Sequence, residues 1–338
     1  MKLIKGYTIF GLMSIEIMKQ LRRVKAVKIY CCRIFSFDFG EMCYTNIQFY
    51  FMIQLRICKQ KFLHRKEHLW MTVYKALTIA GSDTSGGAGL QADLKTFQEL
   101  GVYGMTAITV IVAQNPARSW AHDVYPLSLE ALEAQLDTVL AGIGVDALKT
   151  GMLASSEIIS LVARKLDQYR AKNILIDPVM VCKGTDEVMH PDAAVSIRQD
   201  LVPRATIITP NVFEASQLSG MPIHSVEDMK AAAAKIYELG PRYVLVKGGA
   251  KLGIAAAIDV LYDGSRFEIF EASKISTTYT HGAGCTYAAA ITAGLAQGLS
   301  VPLAVKQAKE FVTLAIQHSF PLNSYVGPTY HAAHRLKQ

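Results

Sequence analysis

Leu77-Thr78-Ile79-Ala80, followed by Gly81-Ser82-Asp83-Thr84-Ser85-Gly86-Gly87-Ala88-Gly89 and then by Gln91-Ala92-Asp93-Leu94-Lys95-Thr96-Phe97-Gln98-Glu99-Leu100, is the stretch on which the fold turns. A short apolar run passes through a glycine-rich loop into a segment of helical spacing, and Gly101 stands where a helix C-cap is expected. The same alternation continues along the chain. Thr106–Val112, Ala147–Lys149, Asn173–Ile176, Thr206–Ile208, Tyr243–Val246 and Ala257–Leu261 read as further strands. Leu129–Leu140, Glu157–Tyr169, Glu227–Leu239, Tyr287–Ala296 and Leu303–Gln317 read as further helices, with Gly240 and Gly298 at expected helix ends. This pattern predicts an α/β fold, a doubly wound and mostly parallel central sheet flanked by helices. No repeat or linker interrupts it after Met71, so residues 71–338 read as a single domain.

In such a sheet, ligands bind where strands end and loops lead into helices. The chemically loaded residues fall at those points: Gly81–Gly89, Gln114-Asn115, Lys149-Thr150-Gly151-Met152, Asp177 through Gly184, Thr209-Pro210-Asn211 through Glu214, and Lys247-Gly248-Gly249. The last of them is His281-Gly282-Ala283-Gly284-Cys285-Thr286, ahead of the small-residue run Tyr287–Ala296. Two glycines at a helix start let backbone N–H groups converge, and the helix N-terminus adds partial positive charge. The segment therefore reads as an anion hole for a transferring phosphoryl group, with Cys285 at its mouth as candidate base, or as a tight turn into a core helix with Cys285 a small buried hydrophobe. The first reading makes the protein a kinase for a small alcohol.

Charge is distributed unevenly. Residues 1–70 hold 13 Lys and Arg against Glu16, Asp38, Glu41 and Glu67, a balance of +9 in a chain of net charge +7, which leaves −2 for residues 71–338. The body gives no sign of nucleic-acid or membrane-surface binding, and no apolar stretch is long enough to cross a bilayer. Of six cysteines, Cys31, Cys32, Cys43 and Cys58 precede residue 71, and the body keeps only Cys182 and Cys285. That spacing fits neither a disulfide framework nor a metal site and predicts a reducing cytoplasm. Residues 1–70 are aromatic, basic and without clear periodicity, and are expected to be an extension that is non-native or disordered. Lys66-Glu67 can be encoded by AAGGAG, a ribosome-binding sequence, with His68, Leu69 and Trp70 as a three-codon spacer, so translation is expected to begin at Met71.

The run Ala76–Phe97, together with Lys149–Leu153, Ile176–Met180, Thr209–Glu214, Lys247–Gly249 and Thr280–Thr286, resembles the hydroxymethylpyrimidine and pyridoxine kinases of the ribokinase-like superfamily. Within that branch Val181-Cys182-Lys183-Gly184, Trp120-Ala121-His122-Asp123 and the tail Phe320–Pro328 look like the pyridoxal kinases of Gram-positive bacteria that carry two active-site cysteines. Gln114 departs from that subgroup and looks like the glutamine with which hydroxymethylpyrimidine kinases bond their aminopyrimidine.

The resemblance implies ATP-dependent phosphorylation of the hydroxymethyl group of pyridoxal, pyridoxine or pyridoxamine. A hydroxymethylpyrimidine or hydroxymethylpyrimidine-phosphate kinase is the alternative, and a non-catalytic vitamer-binding protein a third. It also implies a homodimer, with ATP and Mg²⁺ as cofactors. Cys285 takes the position of the superfamily's usual catalytic aspartate. Its thiol, near pKa 8.5 when unperturbed, must be drawn toward neutral by the helix N-terminus, with Gly282, Ala283 and Gly284 as backbone donors. Cys182 corresponds to the cysteine that adds reversibly to the pyridoxal aldehyde, or is a loop cysteine without chemistry. Asn211 and Glu214 match the family's magnesium and phosphate pair, Glu214 holding the metal through water, and also have the spacing of a helix capping box.

Lys247, Gly248, Gly249, Thr280 and His281 are implied nucleotide contacts, though His281 also suits a structural cap. Gly81, Ala88, Asp93, Val112, Gln114, Met152 and Val179 match the lining of the heteroaromatic pocket, with Asp93 and Gln114 reading the polar edge of the ring. Asp93 has a second reading as an acidic residue stabilising the first turn of its helix. Lys149 receives no role.

Overall fold

The computed structural model describes residues 72–180, 191–249, 252–253 and 256–337. Cys182, Lys183, Gly184 and the extension 1–70 lie outside the described residues. Nine strands form one sheet in the order β3-β2-β1-β4-β5-β6-β7-β8-β9. Six of them, β2 (Tyr103–Asn115), β1 (Lys75–Asp83), β4 (Ala147–Thr150), β5 (Ile174–Ile176), β6 (Ile207–Ile208) and β7 (Val244–Lys247), are mutually parallel. β3 (Ala121–Pro126) closes one edge antiparallel, and β8 (Ala256–Tyr262) and β9 (Phe267–Ser273) close the other.

The central strands bury both faces, which is why they read as continuous apolar runs. Successive side chains serve opposite layers: Leu77 and Ile79 of β1 join one core with Leu148, Val244 and Val246, while Ala76 joins the other with Ala147 and Leu245. Helices α2 (Leu129–Asp137), α3 (Ser156–Gln168), α4 (Pro191–Ser196), α5 (Val212–Ser219) and α6 (Val226–Tyr237) supply side chains to the first core or its margin. The second is covered by α1 (Gly89–Glu99), α7 (Ala283–Ala296) and α8 (Val301–Gln317). α7 is buried at every position from Thr286 to Ala296, and a Cβ on its Gly294 would lie 2.9 Å from Ala304 Cβ, so α7 and α8 meet almost backbone to backbone. Among the described residues no helix is long and apolar enough to cross a membrane.

Each expected strand and helix is present. The expected helix Leu129–Leu140 ends in a wider π turn over Thr138–Ile143, and α7 starts at Ala283, four residues before the expected Tyr287. β3, β9, α4 and α5 were not anticipated. β3 and β9 are edge strands with largely solvated side chains, and so lack the apolar signal of the interior strands.

β1 is the switch point of the sheet, because the chain moves outward from it to β2 and then returns to its other side at β4. The crevice at the carboxyl ends of such strands is where an α/β sheet receives ligands. Helix starts sharpen this. Ser128, Ser155, Asn211 and Ser225 cap α2, α3, α5 and α6 with their side chains, whereas Ala88 ahead of α1 and Gly282 ahead of α7 do not. Two bare, positively polarised helix ends thus open at the switch point.

Candidate active site

The two bare ends converge on Cys285. The Gly89 N–H, first in α1, faces Cys285 from one side and favours its thiolate, and Cys285 itself lies in the first turn of α7. The loops touch: Gly282 has φ +77°, and a Cβ there would fall 1.8 Å from the Gly87 carbonyl oxygen, so only glycine permits the approach. The Ala283 N–H is already bonded to the Thr280 carbonyl (3.1 Å), which removes Ala283 from the expected set of free donors. Gly284 faces open space, with Lys247 Nζ 3.8 Å from where its Cβ would sit. An anion between them would meet backbone N–H on one side and an ammonium on the other.

Cys285 differs from expectation in its acidity. Burial pushes its thiol up to about 11, and the Lys149 ammonium opposes this only in part. Desolvation of the thiolate outweighs the helix ends.

A cavity of about 610 Å³ surrounds this point. Of the sequence-predicted residues, Gly81, Ala88, Val112, Gln114, Met152, Val179, Asn211, Glu214, Lys247, Gly248, Gly249, Thr280, His281, Gly282, Ala283, Gly284 and Cys285 all line it. One wall is organised by Asp83, which the sequence reading left without a task. The Asp83 carboxylate accepts from Ala88 N–H (2.8 Å), Ser85 N–H (2.9 Å), Ser85 hydroxyl (3.0 Å) and Gln114 Nε2 (2.6 Å), and pairs with His281 Nε2 at 2.7 Å. Burial alone would raise its pKa, but the bonds from His281, Ser85 and Gln114 outweigh it and hold the carboxyl well below the usual range. His281, expected among the nucleotide contacts, is therefore tied to the glycine-rich loop after β1. Gly81 lets Val110 and Met152 pack close, its notional Cβ lying 2.9 Å from Val110 Cγ2.

Asp93 is a correction. It is fully buried in the core rather than on the cavity wall, and its Oδ2 accepts from Thr78 Oγ1 (2.6 Å) and Lys149 Nζ (2.8 Å). It neither reads a ligand's edge nor assists the first helical turn. Lys149 lines the cavity from the far side of this pair.

The opposite wall carries charge. Lys247 Nζ pairs with Asp177 at 2.8 Å, and Thr209 Oγ1 donates to the same carboxylate oxygen at 3.0 Å. Asn211 and Glu214 form the reciprocal capping box, Glu214 N–H to Asn211 Oδ1 (3.0 Å) and Asn211 N–H to Glu214 Oε2 (2.8 Å). Burial pushes the Glu214 carboxyl up to about 7; Lys247 draws it down, while Asp177 adds to the rise. Beyond them the Gly248 N–H donates to Asp259 Oδ1 (3.1 Å), whose other oxygen holds Lys309 Nζ (2.6 Å). Ala257, Ile275, Val312 and Ile316 make that end of the cavity apolar, suited to the face of a planar base.

Asp83, Asp177, Lys149, Asp259 and Lys309 were not picked out from the sequence as site residues. The first two were visible as acids in strand-end loops; their partners, His281 and Lys247, stand 198 and 70 positions away.

A family model described as phosphomethylpyrimidine kinase matches residues 83–330. A pyridoxine kinase of Bacillus subtilis is 59% identical over 269 residues, 79% of this chain and 99% of that protein. The hydroxymethylpyrimidine/phosphomethylpyrimidine kinase of the same organism is 45% identical over 263 residues, 78% of this chain and 96% of that protein. The structure of a Staphylococcus aureus pyridoxal kinase in complex with AMP-PCP and pyridoxal superposes with a TM-score of 0.74 at 46% identity, covering 78% of this chain and 96% of that one. The converging glycine loops, the buried charges beside them and these likenesses coincide over one region, and the chain belongs to the phosphomethylpyrimidine kinase family, on the ribokinase-like fold.

Proposed function

We propose that the protein transfers the γ-phosphoryl group of ATP to the hydroxymethyl oxygen of pyridoxal, pyridoxine or pyridoxamine. The observation that carries this is the 59% identity to a pyridoxine kinase against 45% to a hydroxymethylpyrimidine kinase, each over nearly the whole relative. The acceptor ring would lie against Gly81, Ala88, Val112, Met152 and Val179, its hydroxymethyl group directed at Cys285. The triphosphate would lie along Lys247, Gly248 and Gly249, its terminal group between Gly284 and Lys247, where charge develops during transfer. Cys285 would take the hydroxyl proton; its high proton affinity makes the thiolate a strong acceptor, although at neutral pH that form is the minor one.

Among the described residues no group of three or more His, Cys, Asp and Glu could cage a metal. Two buried carboxylates, Asp177 and Glu214, do lie on the cavity wall, Glu214 with a raised pKa that a cation would reverse. This suits Mg²⁺, which keeps most of its water and binds through one or two carboxylates and the nucleotide phosphates. Glu214 would hold it through water, and the ion would neutralise phosphate charge. Residues 71–338 would form the catalytic unit, as a cytoplasmic homodimer, and Cys182 would add to the pyridoxal aldehyde.

A second reading, phosphorylation of hydroxymethylpyrimidine, is favoured by Gln114, which lines the cavity beside Asp83. A coupled ATP-to-ADP assay comparing kcat/KM for pyridoxal, pyridoxine and hydroxymethylpyrimidine decides between them. Pyridoxal or pyridoxine is expected to lead; a lead of about tenfold for hydroxymethylpyrimidine, some 1.4 kcal/mol in the transition state, would overturn the first reading.

A further inference from the structure

The turn that carries Cys285 is held at both ends by one short segment near the end of the chain. At its start, the His281 N–H donates to the Gly327 carbonyl (3.1 Å) and the Thr329 N–H donates to the His281 carbonyl (3.2 Å). At its end, the Thr286 hydroxyl lies 2.9 Å from His331 Nε2 and 3.3 Å from the Thr329 hydroxyl. All three side chains are buried. Burial pushes the His331 imidazole down to about 4, with the Lys95 charge adding to the effect, so it stands neutral against Thr286. The same segment reaches the glycine-rich loop after β1, since a Cβ on Gly87 would fall 2.5 Å from His281 Cδ2 and 3.0 Å from Pro328 Cβ.

Building on the kinase reading above, we propose that Gly327–His331 is a strap that sets the anion-hole turn, and that His331 is a positioning residue acting through Thr286. His331 does not line the cavity. Its hydrogen bond fixes the residue that follows Cys285 and gives the first intrahelical bond of α7, Thr286 N–H to the Gly282 carbonyl (2.8 Å). A tilt of that turn would move the thiol and the Gly284 N–H together relative to Lys247. Phosphoryl transfer depends on such alignment, and a displacement of about 1 Å costs on the order of a hundredfold in rate.

The test uses the full chain. His331→Leu and Thr286→Val delete the bond at nearly constant volume; Thr286→Ser and His331→Gln keep a hydroxyl or an acceptor in place. We expect each deletion to lower kcat roughly tenfold or more per folded molecule, with both KM values within about threefold. The double variant should be no worse than the poorer single, because both remove one bond. Thr286→Ser and His331→Gln should restore most of kcat. Unchanged kcat in the deletions, losses that multiply in the double, or no rescue by serine and glutamine would each overturn the strap. If His331→Leu does not fold, the Thr286→Val and Thr286→Ser pair reads the same bond. Should the wild-type chain turn over no vitamer and no hydroxymethylpyrimidine, the kinase reading fails separately. The strap is then read by iodoacetamide labelling of Cys285, followed on its own peptide by mass spectrometry. A changed rate in Thr286→Val that serine restores supports the strap, and an unchanged rate overturns it.

Discussion

The two walls of the cavity hold their charges in opposite ways. On the proposed acceptor wall, Asp83 is saturated: five hydrogen-bond contacts from four residues keep it ionised without any ligand. On the proposed nucleotide wall, Asp177, Glu214 and Lys247 place two carboxylates against one ammonium, and burial lifts Glu214 to about 7. The first wall is complete as it stands; the second is balanced only by a proton or a bound cation. On the proposed function, an acceptor would meet a preformed surface, whereas nucleotide and metal would complete an electrostatic arrangement the chain leaves short of positive charge.

Lys247 is the residue on which the difference between the walls depends most. Lys247→Met leaves Asp177 buried without its cation and removes the charge facing Gly284, so kcat should fall on the order of 10²–10³-fold. Loss of less than threefold would mean that Lys247 does not balance the wall. On the other side, Asp83→Asn weakens charge-assisted bonds worth about 1.5–3 kcal/mol each. kcat/KM for the alcohol should drop roughly ten- to hundredfold, while KM for ATP moves less. Equal losses for both substrates would erase the distinction between the walls.

A smaller effect concerns pH. Glu214 is half-protonated near pH 7 and ionises above it, so Mg²⁺ should half-saturate at a concentration about tenfold lower at pH 8 than at pH 6. Glu214→Gln should flatten this profile; an unaltered profile in the variant would assign the titration elsewhere.

A last effect, on stability rather than turnover, lies behind the walls. His331 titrates at about 4 when folded and near 6.5 when unfolded, so the unfolded chain binds the proton first as pH falls. Its contribution is present above pH 6.5 and is lost between 6.5 and 4, about 3 kcal/mol in all. Denaturant midpoints across that range should fall more steeply for wild type than for His331→Gln; parallel curves would show that the imidazole is not held neutral.

What the sequence disclosed follows the reach of its signals. Strand interiors such as Leu77–Ala80 and glycine turns such as Gly282–Gly284 are local, and both are present where expected. β3 and β9 escaped because an edge strand owes its pairing to a neighbour rather than to its own apolar pattern. The Asn211–Glu214 capping box was legible from spacing alone, while the short helix α5 that it starts was not read. Charge partners were the main loss. Asp83 and His281, and Asp177 and Lys247, meet only after the sheet has assembled, and so do Asp93 and Lys149, whose pairing in the core neither reading of Asp93, ring contact or first-turn acid, contained.

On the proposed function, phosphoryl transfer takes place at Cys285, where the two bare helix ends converge. This assignment is tested most directly by measuring kcat and nucleotide affinity together in Cys285→Ala. In this variant kcat should fall by about 10²–10⁴-fold, with the Kd for a non-hydrolysable ATP analogue within about threefold of wild type. A variant that turns over at the wild-type rate would contradict it.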